Sequence, residues 1–518
     1  MNRLPLSRVT RVALVSLMSL LAIPACSDDD GDGSYADPNP PKGPGAETPD
    51  AGPPDSGTPD SGQPDSGTPD AGPTVWPQEF TCAGKETHAL SFNPGQEQQL
   101  QNAVNDLKPC TTITLGAGTF HFDNAVTIRQ DGITFQGAGR GAQGQATGGA
   151  ASTVLDFSTA AANTNGLDVV GKLFTLRDVA LWGAQKDALR VENSSNVLIQ
   201  RIRTEWANPN QPTNGKYGIY PVKSRYVIVE DCEAYNASDA GIYVGQTRYA
   251  IVRRNIAKQN VAGIEIENTK FAFVEGNTAI DNTTGLVVFD LPGNPIQGTD
   301  VLVTKNTITG NNRKNFASDS GSSSTVSQVP AGTGTFILAS RRVEFVGNTW
   351  GNNNTVDIAV LSGLAIEPNP VLWSAGFFNF STSDVSIHHN TFLGGSGENV
   401  DSGETNPASR PLGYLISNLY AYGKAAAGVD RVEHVMWDGI DPAPRNENVA
   451  NGMNLCFSNN TVPATTKAAV VDLDLEAVQK KLTSATPDIV GAWAETRRYN
   501  PGAAPFNCSG FAPALKLP

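Results

Sequence analysis

Four glycines, each followed by an apolar residue, recur down the middle of this chain at Gly218-Ile219, Gly241-Ile242, Gly263-Ile264 and Gly285-Leu286, at intervals of 23, 22 and 22 residues. A second series keeps step with them: Cys232, Asn255, Asn277, Asn306, Asn348, Asn390 and Asn460. A repeat this short cannot hold a helical hairpin, and the segments between the markers are rich in Val and Ile, which favour strands. The pattern predicts an all-β, single-stranded, right-handed parallel β-helix, with one coil per repeat.

Coils of such a solenoid stack about 4.8 Å apart, so equivalent residues lie on top of one another, and an Asn at a turn can bond to the Asn above and below. Alternate side chains of each strand enter the core. That assigns Ile219, Ile242, Ile264 and Leu286 to one buried column and Pro221, Val244, Ile266 and Val288 to the next. The residues between them are expected to face solvent. On this reading Val287 points outward, and Ile264→Asp should destabilise far more than Val287→Asp.

The chain begins with three arginines before an apolar run that is too short for a membrane span and ends in small residues, which reads as an export signal. Its end, Ile23-Pro24-Ala25-Cys26, resembles a bacterial lipobox and implies lipidation of Cys26. Ser27 points by analogy to the outer rather than the inner membrane. Residues 27–72 hold five pentads, TPDAG, PPDSG, TPDSG, QPDSG and TPDAG, and have too little apolar surface for a core. They are expected to be a solvated tether. Eleven acids against Lys42 in this stretch supply most of the net charge of −14, so residues 73–518 form a single, mildly acidic domain with no basic run. Nucleic-acid binding has no support.

Gln96 to Leu107 has the spacing of an amphipathic helix suited to cover the open end of the solenoid, and LDLEAVQKKL reads as a second helix that caps the far end or packs along the side. Insertions near 203–216, 314–334 and 395–453 interrupt the repeat. Long loops on a solenoid usually share one face and often build the site. Cys82 with Cys110 and Cys456 with Cys508 flank the two ends and are paired that way, although connectivity is not fixed by sequence. Cys232 occupies the Asn series and reads as a buried thiol. The absence of CxxC and CxxCH removes thioredoxin-like chemistry and attached c-type haem from the chain itself.

The outward residues fall into three ladders: Arg190, Tyr220, Tyr243, Glu265, Val287; then Glu192, Val222, Gly245, Glu267, Phe289; then Asn193, Lys223, Gln246, Asn268, Asp290. This is the densest polar and aromatic patch of the repeat. It reads either as a solvated strand face with cross-coil ion pairs or as a polysaccharide-binding surface. For β-elimination of a uronate polymer, Arg190 or Lys223 would neutralise the carboxylate, and Tyr243 or Tyr220 would move the proton. For inverting hydrolysis, Glu265 and Glu267 would be acid and base. Gln246, Asn268 and Asp290 are expected to contact ligand, and the carboxylate pair near Asp290 and Asn268 equally suits Ca²⁺ through oxygen ligands. His388 and His389 are adjacent, and strand alternation sends adjacent side chains to opposite faces, which argues against a shared metal site. His88, His121 and His434 stand alone in sequence.

At NASDAGIYVGQT, NVAGIEIENTK and NTTGLVVFDLPG, followed by VPAGTG and APFNCSG, the chain resembles a bacterial family of exported parallel β-helix repeat proteins, many of them lipoproteins. The resemblance spans roughly residues 95 to 515. It implies a pectin-lyase-like solenoid related to carbohydrate-binding and sugar-hydrolase β-helices, from genes often found beside a secreted di-haem c-type cytochrome. The family has no settled activity. The chain also lacks the paired aspartates and Gly-His-Gly of polygalacturonase-like hydrolases, the Asp-Pro-His-Asp of alginate epimerases, and an evident pectate-lyase arginine signature. Two readings follow: an envelope lipoprotein that binds and processes polysaccharide through Tyr243, Glu265 and Glu267, or a non-catalytic scaffold presenting that face to a protein partner such as the cytochrome.

Overall fold

The computed structural model describes residues 76–317, 325–366, 379–400, 411–427, 433–440, 453–482, 484–508 and 514–518, with single positions 369, 371 and 373. The export signal, Cys26 and the tether fall on residues outside these. Each coil contributes three short strands, as in Leu189–Glu192, Ser195–Gln200 and Arg203–Glu205. Stacked coils make three sheets, which we number first, second and third in that order, of 12, 12 and 10 strands among the described residues. Coil pairs with coil in parallel register throughout, except that Arg497–Tyr499 closes the first sheet antiparallel to Val470–Asp472.

The inward columns lie as the alternation predicts. Ile219 pairs in register with Ile242, Ile242 with Ile264, and Ile264 with Leu286, and all four are buried. Between the second and third sheets the chain turns through a residue of positive φ, such as Asp231, Arg254 or Lys305. The next residue is a member of the Asn series. Asn255 Nδ2 donates to Asn277 Oδ1 at 2.9 Å, Asn277 to Asn306 at 2.9 Å, Asn306 to Asn348 at 2.9 Å, and Asn348 to Asn390 at 3.1 Å. Cys232 tops this ladder with its backbone N–H on Asn255 Oδ1 at 2.9 Å, and burial pushes its thiol up to about 12.

A second ladder, Asn260, Asn282, Asn311 and Asn353, was passed over in the sequence, although each member follows the first ladder by five residues. It joins the third sheet to the first through amide-to-amide bonds of 3.0 to 3.1 Å. This ladder lies against three members of the glycine series. A Cβ on Gly241 would stand 2.6 Å from Asn260 Nδ2, one on Gly263 2.9 Å from Asn282 Nδ2, and one on Gly285 2.8 Å from Asn311 Nδ2. The Gly285 carbonyl oxygen lies closer still to such a Cβ on Gly263, at 2.5 Å, and Ile308 Cγ2 to one on Gly285, at 2.5 Å, so close packing of the coils rather than a positive φ is what demands glycine. Where the ladder ends, Asp357 takes the glycine position, accepts from Asn353 at 3.1 Å, and pairs with buried His434 at 2.8 Å.

Helix α1 (Glu97–Asn105) buries Leu100 and Val104 against the first coils and covers that end. The disulfides are Cys82–Cys110 and Cys456–Cys508. From Cys82 the chain runs back along the second sheet, with Glu79 paired to Lys172 and Arg225, and Trp76 against Tyr226 at 5.5 Å.

The outward face of the first sheet departs from expectation. Val287 and Phe336 are fully buried and Phe289 nearly so. Insertions and the C-terminal segment pack onto this face: the 3₁₀ turn Thr325–Gln328, Trp373, and helices α2 (Pro411–Ala427), α3 (Leu475–Leu482) and α4 (Ile489–Glu495) form a second core with it. Leu415, Ile416 and Leu419 of α2 and Val478 and Leu482 of α3 belong to that core. A glycine at 423 lets Trp493 of α4 lie against α2, where an added Cβ would meet its ring at 2.1 Å. So α3 packs along the side, and Val287→Asp would bury a charge just as Ile264→Asp would. Among the described residues no helix is long and apolar enough to cross a membrane.

Candidate functional site

The outward columns are in the predicted register. Asp168 pairs with Arg190, Arg190 with Tyr220, Tyr243 with Glu265, and Glu265 with Val287. Outward, however, does not mean exposed. Tyr243 and Glu265 are each 2 % exposed, whereas Arg190, Glu192, Tyr220, Gln246 and Glu267 are half-buried and Lys223 is exposed. The open part of the face therefore runs from Asp168 to Glu267, with buried residues forming its floor.

Three tyrosines make that floor. Tyr217 stacks on Tyr220 with ring centroids 4.4 Å apart and lies 5.0 Å from Tyr243, while Tyr220 and Tyr243 meet edge to face at 4.8 Å. Tyr243 reaches along its own strand, and a Cβ on Gly245 would fall 2.0 Å from its hydroxyl. Glycine at 245 is what lets the phenol cross to the next coil, where it donates to Glu267 Oε1 at 3.1 Å. Asn294 donates to the same oxygen at 3.0 Å. On the neighbouring coils Arg190 pairs with Glu192, and Lys223 reaches Glu192 at 3.2 Å. Both cations predicted to meet ligand thus share one carboxylate.

Glu265 and Glu267 lie two apart on one strand, hence roughly 6 to 7 Å between Cα atoms, in different surroundings. Glu265 is enclosed between Tyr243 and Val287 in register, while Glu267 stands at the edge of the open patch. Asn268 and Asp290 do not belong to that patch. Asn268 Nδ2 donates to Asp290 Oδ1 at 2.6 Å and to the carbonyls of Leu291 and Ile296 at 3.0 Å. Asp290 also accepts from the Gly298 N–H at 2.8 Å and faces Arg341 at 3.4 Å. The pair staples the 291–298 loop, and burial pushes Asp290 up to about 7. Ca²⁺ does not fit there: the oxygens are taken by backbone donors, a guanidinium faces them, and among the described residues no three metal-binding side chains gather.

Two acids were missed by the sequence reading. Asp168 precedes Arg190 in the same column, and burial holds its carboxyl above the usual range. Asp187 meets the Tyr217 backbone, is 1 % exposed, and is pushed by burial up to about 7 despite nearby Lys186 and Arg190. Its Oδ1, like Gln246 Oε1, has no hydrogen-bond partner among the described residues. Extending the ladder one coil upstream would have found Asp168. Asp187 carried no signal, because it sits before the strand begins.

The family description "Right handed beta helix region" matches residues 165–328, which contain the whole open patch. No curated protein matches the chain. Among solved structures it is similar to the A-module of a mannuronan C-5 epimerase from Azotobacter vinelandii, at 16% identity over 58% of this chain and 85% of that one, with a TM-score of 0.40. A polygalacturonase from Erwinia carotovora ssp. carotovora is similar at 10% identity over 62% and 97%, TM-score 0.40. An alginate lyase from a Paenibacillus species is similar at 14% over 59% and 87%, TM-score 0.32.

Proposed function

We propose that this protein is a lipid-anchored solenoid of the bacterial envelope that binds polysaccharide along the open patch of its first sheet and processes it there with Glu267, Glu265 and Tyr243. One observation carries the reading: Arg190, Tyr220, Tyr243 and Glu265 rise in one column on successive coils, with Glu192 and Glu267 beside them. A regular array of this kind suits a linear polymer. Phenol rings offer an apolar surface with a polar rim, and Arg190 offers a planar donor set for a carboxylate. Two carboxyls on one strand, one enclosed and one at the surface, are the environments that separate a proton donor from an acceptor. On a uronate polymer the Tyr243 hydroxyl, already bonded to Glu267, is placed to pass a proton.

Full-length protein is tested by calorimetry and product analysis against acidic and neutral polysaccharides. Glu267→Gln, at a half-buried position, should leave the melting temperature nearly unchanged and weaken binding or turnover at least tenfold. Wild-type protein that recognises no glycan, or a variant that matches wild type, overturns the reading. Co-purification of a haem protein blocked by the same variant would favour the scaffold instead. For the anchor, Cys26→Ser should move the protein to the soluble fraction, and continued membrane association with no acyl mass on the wild type would refute lipidation.

A further inference from the structure

The alternation argument against His388 and His389 fails for a local reason. His389 is not a strand residue but the turn residue before Asn390, with φ of 52°. That conformation swings its ring back toward the strand. The two rings stand 5.1 Å apart at 85°, and their Nδ1 atoms are 2.8 Å apart. Behind them, His388 Nε2 lies 2.9 Å from Glu344 Oε1. With the carboxylate accepting from Nε2–H, His388 Nδ1 accepts from His389 Nδ1–H, and a metal ion would replace that proton, leaving His389 protonated on Nε2 instead.

We propose that His388 and His389 bind a transition-metal cation of the copper(II) class through their two Nδ1 atoms, on the second sheet and away from the polysaccharide patch. The separation selects the geometry. Metal–imidazole bonds of about 2.0–2.1 Å from nitrogens 2.8 Å apart subtend about 85–90° at the metal. A tetrahedral ion would need its nitrogens about 3.4 Å apart. Right angles between adjacent ligands belong to tetragonal copper(II) and nickel(II) rather than to tetrahedral zinc. Glu344 has the place of the outer carboxylate that fixes the tautomer of a metal-bound histidine and raises its basicity. The side chains of His388 and Glu344 are 15% and 17% exposed, while His389 is open to solvent, so an ion has a held side and a free side. Among the described residues no group of three metal-binding side chains forms, and the solvent-facing side of the pair is where further ligands would enter.

Copper(II) sulfate is titrated into the full-length protein at pH 7.5, with calorimetry for stoichiometry and electron paramagnetic resonance for the ligands. Expected are one equivalent bound and a tetragonal signal split by two nitrogens. His389→Asn, which tolerates the turn conformation, should keep the melting temperature and lose the site, with affinity falling at least tenfold. Glu344→Gln should weaken binding about tenfold through the outer shell alone. Absence of binding in wild type overturns the proposal, as does an unchanged signal in His389→Asn. Intense tetrahedral bands after cobalt(II) loading would refute the geometry.

Discussion

Up to Glu265 the outward column of the first sheet reads Asp168, Arg190, Tyr220, Tyr243, Glu265, and beyond it the same column continues as Val287, Phe336, Ala359 and Met436. Both halves share backbone, register and inward core. The upstream half stays partly open above a tyrosine floor, and the downstream half is sealed under α2, α3 and the 3₁₀ turn. The comparison teaches that a solenoid face takes its role from what the insertions bring to it. Downstream, TGLVVF, TGTFIL and VDIAVL are buried at every position, as AGIYVG of the tyrosine floor already is. Near-continuous apolar strands announce burial on both faces.

The sharpest break of the comparison is a charge placed in each half. Phe336→Asp should cost about 5 kcal/mol or more and prevent folding of the second core, whereas Tyr220→Asp, at a half-buried position, should cost under about 2 kcal/mol. Chemical denaturation decides it, and equal losses would mean the insertions do not seal the downstream half.

Next in size is a pH effect seated in the open half. Burial raises Asp187 to about 7, so between about pH 4 and 7 the folded chain retains a proton that the unfolded chain has released. The group's contribution is therefore most favourable below pH 4 and is lost as pH rises toward 7, by at most about 4 kcal/mol. Asp187→Asn should gain stability relative to wild type across that window, read as urea midpoints at pH 4.5 and 7.5. A constant difference would place the titration elsewhere.

Gly245→Ala should cost about 1–3 kcal/mol by driving Tyr243 off Glu267, and should lower glycan binding more than it lowers the melting temperature. The smallest effect is expected for Lys223→Ala. Its exposed pairing with Glu192 contributes about 0–1 kcal/mol, so stability should barely move, while any binding of an acidic glycan should weaken and lose part of its salt dependence.

Much of this architecture was legible because stacking makes the chain repeat itself. A residue that serves one coil serves the next, so the Asn255 to Asn390 ladder, the inward isoleucines and the outward columns all appear as spacing. The second ladder was equally written, five residues behind the first. The disulfides pair as their positions at the two ends suggested, although spacing alone left the connectivity open.

What spacing does not carry is anything an insertion does. Apart from the paired strand Val435–Trp437 and the start of the strand at Thr333, residues 314–334 and 395–453 repeat no coil, so where they pack, and hence that Val287 is core and Glu265 is floor, depended on tertiary contacts. The same holds for single-residue departures from strand geometry. The positive φ at His389 brings its ring to His388, and Asp187 acquires its raised pKa because the folded chain buries it. Periodicity states which way a side chain points along the strand; burial, protonation and the approach of two side chains depend on what the rest of the chain places over them.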